Sequence, residues 1–123
     1  MNDYLICPIS LEELEEVVFG MPKGKAPGLD GFLVEFFQEF WDIINHDLLE
    51  VVKESHSSKQ MLRALNSTFL TLIPKREGAN QLESFRPIAL CNVVYKVITK
   101  LIAERIKKVA SYYYLRRTTW FCC

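Results

Sequence analysis

The sequence predicts a mostly helical α+β domain: helices first, one β-hairpin in the middle and a long helix near the C-terminus. Three observations carry this. Apolar residues recur at helical spacing in three separated stretches, a single stretch alternates with a period of two, and Gly/Pro or Ser-rich segments separate them. At 123 residues, half of them hydrophobic, the chain is long enough for one modest core.

Each element follows from its own residues. Ser10 precedes LEELEEVVFG with Glu13 three positions on, the pattern of a capping box, and Leu11, Leu14, Val17, Val18 and Met21 fall on one side. Gly20 and Pro22 stop this helix. After KGKAPGLDGF, a second amphipathic helix is expected over FLVEFFQEFWDII, started by Asp30, with Phe36, Phe37, Phe40, Trp41 and Ile44 opposite Glu35, Gln38, Glu39 and Asp42. HDLLEVVKES continues or restarts it, and SHSSKQ breaks the pattern. In NSTFLTLIPK the period changes, with Phe69, Thr71 and Ile73 on one face and Thr68, Leu70 and Leu72 on the other, until Pro74 ends the strand. The polar link KREGANQLES leads to FRPIAL, the return strand of a hairpin. Asn92 is placed to cap the last helix, VVYKVITKLIAERIKKV. Its apolar stripe is Val94, Ile98, Leu101, Ile102 and Val109, and Lys96, Lys100 and Lys107 lie on another face. The remaining ASYYYLRRTTWFCC has no clear period. Residues 1–109 are therefore read as the domain, and 110–123 as an aberrant tail expected to be poorly ordered.

Charge divides the chain. Residues 1–54 hold twelve acids against three bases, a balance of −9, and residues 55–123 hold the reverse, +9. A basic half suits a partner bearing phosphates, since each neutralised phosphate releases counterions. It equally suits attraction between the two halves within the fold.

Several chemistries are excluded. His46 and His56 have the spacing of neither a metal clamp nor a catalytic triad, and Cys7, Cys91, Cys122 and Cys123 share no metal-ligand spacing. No pair of aspartates ends a strand as two-cation chemistry needs, because Asp3 is terminal, Asp30 is in a loop, and Asp42 and Asp47 fall on helical segments. The expected catalytic and metal sites are therefore none, and so are the cofactors. KGKAPGLDGF also fails as a phosphate-binding P-loop: only three residues separate Gly20 from Gly24, Ala26 follows Lys25, Pro27 interrupts, and no strand precedes. No secretory signal or membrane span is read, so an intracellular location is expected; nothing in the sequence sets an oligomeric state.

The segments GKAPGLDGF (24–32), FFQEFW (36–41), LNSTFLTLIPK (65–75) and FRPIALCNVVYKVITKLIAERIK (85–107), in this order and spacing, resemble the reverse transcriptases of LINE-type non-LTR retrotransposons, in the variety abundant in plant genomes. The resemblance covers roughly residues 9–109. It implies the N-terminal extension and fingers of an incomplete right-hand polymerase, an RNA-directed DNA polymerase. It assigns Lys23, Lys25, Gly28 and Gly31 to a template-side loop, and Lys75 and Arg86 of the fingers hairpin to the triphosphate of an incoming nucleotide. Point-charge ammonium and forked guanidinium both suit triphosphate oxygens. RNA template and nucleotide are thus the implied partners, and Mg²⁺ is expected for a full-length relative. Where that family has Pro and Ser, this chain has Leu29 and Ala89. Beyond Val109 the family continues into a palm bearing two aspartate motifs, while this chain continues into SYYYLRRTTWFCC, so a fragment without catalysis of its own is expected. Two other readings are a small nucleic-acid-binding module using Lys75, Arg76, Arg86, Lys96 and Lys100, and a structural helical interaction domain.

Overall fold

The computed structural model describes residues 2–121, with the side chains of residues 3–115. In chain order the elements are α1 (Asn2–Ile6), α2 (Leu11–Phe19), α3 (Val34–Glu39), α4 (Trp41–Ser58), α5 (Arg63–Asn66), β1 (Thr68–Pro74), β2 (Phe85–Cys91) and α6 (Val93–Phe121). A single 3-10 turn, Leu82–Ser84, interrupts the link between the strands. The expected α+β class holds, with its helices, its two-stranded antiparallel hairpin and its long C-terminal helix.

Helix α2 starts as its sequence dictates, the Ser10 hydroxyl accepting from Glu13 N at 3.2 Å. Its C-terminal carbonyls find donors far away in sequence. Gln38 Nε2 donates to Val18 O at 3.0 Å, and Lys100 Nζ donates to Gly20 O at 2.8 Å. A cation at this end also opposes the helix dipole. Lys100, expected on a basic outer stripe, is thus committed to the end of α2.

The second predicted helix is two. Phe40 leaves helical geometry at φ −100°, ψ 23°, separating α3 from α4, which then runs through SHSS to Ser58. Leu33, not Asp30, precedes the first turn of α3; the Asp30 carboxylate instead accepts from Phe32 N within the loop, at 3.1 Å. This is the local side-chain to backbone bond that Asp offers in competition with capping. The aromatic row splits too. Phe37 and Trp41 are buried, whereas Phe36 and Phe40 remain substantially exposed. Short α1 and α5 carry too few residues for a periodic signal, and the sequence shows neither.

The core joins Leu14, Val17 and Val18 of α2 to Phe37 of α3, Trp41, Leu48 and Val52 of α4, and Val93, Val97, Ile98 and Leu101 of α6. The buried face of α6 is not the expected stripe. Ile102 is half exposed, and the buried row 93, 97, 101 continues at the same four-residue step to Arg105, only 3% exposed. Its guanidinium donates to both carboxylate oxygens of Glu13, each at 2.7 Å, and to the carbonyls of Leu5 (3.2 Å), Cys7 (2.8 Å) and Pro8 (3.3 Å). The fork geometry of Arg makes this possible, and the acceptors compensate a charge that would otherwise be costly to bury. Paired with it, the Glu13 carboxyl is held below the usual carboxylate range, chiefly by the Arg105 hydrogen bond.

The hairpin stands outside this core. Register runs from Thr68 opposite Cys91 at its base to Pro74 opposite Phe85 at its tip. Lys75 N donates to Ser84 O at 2.8 Å, making the next pair inward-facing. The two-residue alternation of antiparallel ladders then gives 73/86, 71/88 and 69/90 as the hydrogen-bonded pairs. Backbone groups of Thr68, Leu70 and Leu72 point away along the outer edge of β1, as do those of Phe85, Pro87 and Ala89 along β2. Pro87, which has no N–H, therefore sits where a missing donor breaks no ladder bond.

Candidate nucleic-acid interface

Alternation along paired strands decides which predicted site residues can act together. Ile73 lies opposite Arg86, and Lys75 follows Ile73 by two positions, so Lys75 and Arg86 share one face at the hairpin tip. The Lys75 ammonium donates to Glu83 O at 2.8 Å, which holds it against the link between the strands. Arg76 continues from β1 beside it. Among the described residues, the side chains of Arg76 and Arg86 make no hydrogen bond or ion pair. Three cations thus gather at the end of an exposed ribbon.

The glycine-rich loop is tied to the other end of that ribbon. Gly28 is buried against the β2–α6 junction: a Cβ built there would lie 2.7 Å from the Cys91 carbonyl carbon and closer still to Asn92. Only glycine permits this approach. Two residues on, Asp30 N donates to Asn92 Oδ1 at 3.2 Å, while Asn92 Nδ2 donates to Ala64 O at 3.2 Å. Asn92, itself 3% exposed, so joins the loop, α5 and the start of α6 through one amide. Its carbonyl accepts the Lys96 N–H, the position of a helix cap, but its side chain serves this junction instead of the helix. Gly31, at φ 74°, turns the chain toward α3 in a left-handed conformation that suits glycine.

Lys23 and Lys25 project from the same loop on either side of Gly24, whose N–H donates to the Glu35 carboxylate in the first turn of α3. That bond holds Glu35 below the usual carboxylate range. Both lysines are exposed, and neither makes a hydrogen bond or ion pair among the described residues. The two predicted groups are therefore not one pocket. The loop lies at the hairpin base and Lys75 and Arg86 at its tip, six residue steps away, roughly 20 Å at strand rise.

The sequence marks the cations but not the residues that arrange them. Asn92 reads as a helix cap and Glu35 as a solvated face, because their partners lie 62 and 11 positions away. A cavity of about 430 Å³, lined by Leu5, Val52, His56, Met61, Ile98 and Leu101 among others, contains none of the predicted site residues. Among the described residues, no three His, Cys, Asp or Glu side chains converge as a metal-ligand set, and no helix is long and apolar enough to cross a membrane.

Comparison with protein-family models gives no match. Comparison with known proteins gives the Transposon TX1 uncharacterized 149 kDa protein of Xenopus laevis, 36% identical over 110 residues. The match takes in 89% of this chain and 8% of that much longer protein. The chain described here is thus a relative of a transposon-encoded protein, similar along nearly all its own length to one short segment of it.

Proposed function

We propose that this chain is the template- and nucleotide-binding fingers portion of a LINE-type retroelement reverse transcriptase, and that it does not polymerise by itself. The observation that carries the proposal is the shared hairpin face of Lys75 and Arg86, in a relative of a transposon-encoded protein. An ammonium and a guanidinium side by side at the tip of an exposed ribbon suit the oxygens of a triphosphate, with Arg86 supplying the planar fork. Lys23 and Lys25 supply a second pair of cations in the loop that Gly28 and Asp30 tie to the ribbon base. A nucleic-acid strand running from base to tip would span the intervening ~20 Å, about six nucleotide steps at ~3.4 Å each. The loop positions backbone phosphates and reads no sequence, as phosphate contacts do. No chemical step is assigned to these residues.

Filter binding of a single-stranded RNA, titrated with salt, tests this reading. Affinity should fall steeply with added salt, and Lys23→Ala or Lys25→Ala should each lower the steepness of that dependence by about one phosphate contact. Lys75→Ala or Arg86→Ala should weaken retention of a nucleoside triphosphate. Retention indifferent to salt and to these substitutions would refute it. Primer extension on an RNA template with Mg²⁺ and nucleotides should give no product; extension by the purified chain would overturn the claim that it does not polymerise.

A further inference from the structure

We infer that β1 is a self-pairing edge, through which two copies of this chain join their hairpins into one four-stranded antiparallel sheet. All seven residues of β1 are exposed, with Leu70 at 76%, Leu72 at 54%, Phe69 at 50% and Ile73 at 44%. No charged side chain lies within TFLTLIP, so the strand lacks the lysines that usually blunt an open edge. A two-stranded ribbon gains independent stability when further strands extend it.

The order of residues identifies the occupant. About Thr71 the strand is nearly a palindrome of side-chain class, with Leu70 and Leu72 flanking it and Phe69 and Ile73 beyond. An antiparallel pairing of two copies centred on Thr71 sets Leu70 against the partner's Leu72 on one face. On the other it sets Phe69 against the partner's Ile73, with Thr71 against the partner's Thr71. These are aromatic to β-branched, aliphatic and Thr to Thr pairs, each of the kinds that favour cross-strand neighbours. The same register uses the outward N–H and C=O groups of Leu70 and Leu72, which the β1–β2 ladder leaves free. Lys75 falls opposite the partner's Ser67, so the basic tips lie at opposite ends and do not confront one another. Growth then stops at four strands, because the sheet's new outer edges are both β2, where Pro87 interrupts the middle of the outward-facing register. Pro74, in the same register of β1, removes only the N–H of the terminal 68/74 pair. The interface is two-fold and closed, and it leaves the face bearing Lys75 and Arg86 open.

Light scattering on size-exclusion fractions of the full chain tests the pairing, with Thr71→Lys and Thr71→Glu as probes at an exposed central position. The native chain should show a concentration-dependent species of twice its 14.3 kDa mass. Each variant, placing like charges directly opposite, should weaken that species by roughly tenfold, and mixing the two variants should restore it as a heterodimer. Restoration would separate lost pairing from lost folding. A native chain that stays monomeric at all accessible concentrations, variants that dimerise like it, a mixture that does not recover, or an open-ended series of larger species would each overturn the inference.

Discussion

The helical body and the hairpin are built on opposite terms. Around α2, α4 and α6 the side chains of Leu14, Val18, Val52, Val97 and Leu101 are at most 1% exposed, and even the one cation on the buried face of α6 is enclosed by acceptors. The hairpin is comparably apolar in composition, yet β1 hides none of its residues. Hydrophobic content therefore does not distinguish the two regions; what distinguishes them is whether another element faces them. Stability should reside in the helices, and the ribbon should be free to meet partners.

Substitutions can break this contrast, beginning with the largest expected effect. Arg105→Ala should cost about 3–5 kcal/mol in a denaturant titration, since it strands Glu13 and three backbone carbonyls that the guanidinium now satisfies. The pair also has a pH signature. Glu13 has a depressed folded value, so its contribution is fully present above the ordinary glutamate range and is lost as pH falls through that depressed value; Glu13→Gln should flatten this limb. A titration in which Arg105→Ala matches the native midpoint would dissolve the contrast altogether. Gly28→Ala comes next, at about 1–3 kcal/mol, because the added methyl meets Cys91 and Asn92 backbone that cannot retreat. Increased hydrogen exchange at Asp30, with the core of α2 unchanged, would place the damage at the loop junction. The smallest effect should come from the ribbon, where Leu72→Thr should shift stability by no more than about 0.5 kcal/mol in dilute solution. A shift of the size of a core substitution would mean that β1 is packed after all.

How legible these regions were in the sequence follows the same division. Helix α2 and both strands could be read because their determinants are local: a hydroxyl three residues before an N–H, a period of two, a proline at each strand's boundary or outward position. What escaped was long-range. The place of Arg105 on the buried face of α6 is not legible because its acceptors lie on a segment about a hundred positions earlier. The split of the phenylalanines is likewise tertiary, since Phe37 joins the core with residues of α2 and α6 while Phe36 and Phe40 do not. Of the candidate site, the cations Lys23, Lys25, Lys75 and Arg86 were legible, as was their division between a loop and a hairpin. The anchoring of that loop to the base of the ribbon was not, because it depends on Gly28 meeting Cys91 and Asn92.

The clasp at Arg105 also sets an order of events during synthesis. Glu13 leaves the ribosome 92 residues before its partner does, and Leu5 leaves 100 residues before. Until the middle of α6 has emerged, the carbonyls of Leu5, Cys7 and Pro8 have no guanidinium to accept from, so this clasp cannot close before Arg105 is made. Contacts of such wide sequence separation are slow to close. While the clasp stays open, the stretch from Leu5 to Glu13 is exposed to chaperones and proteases.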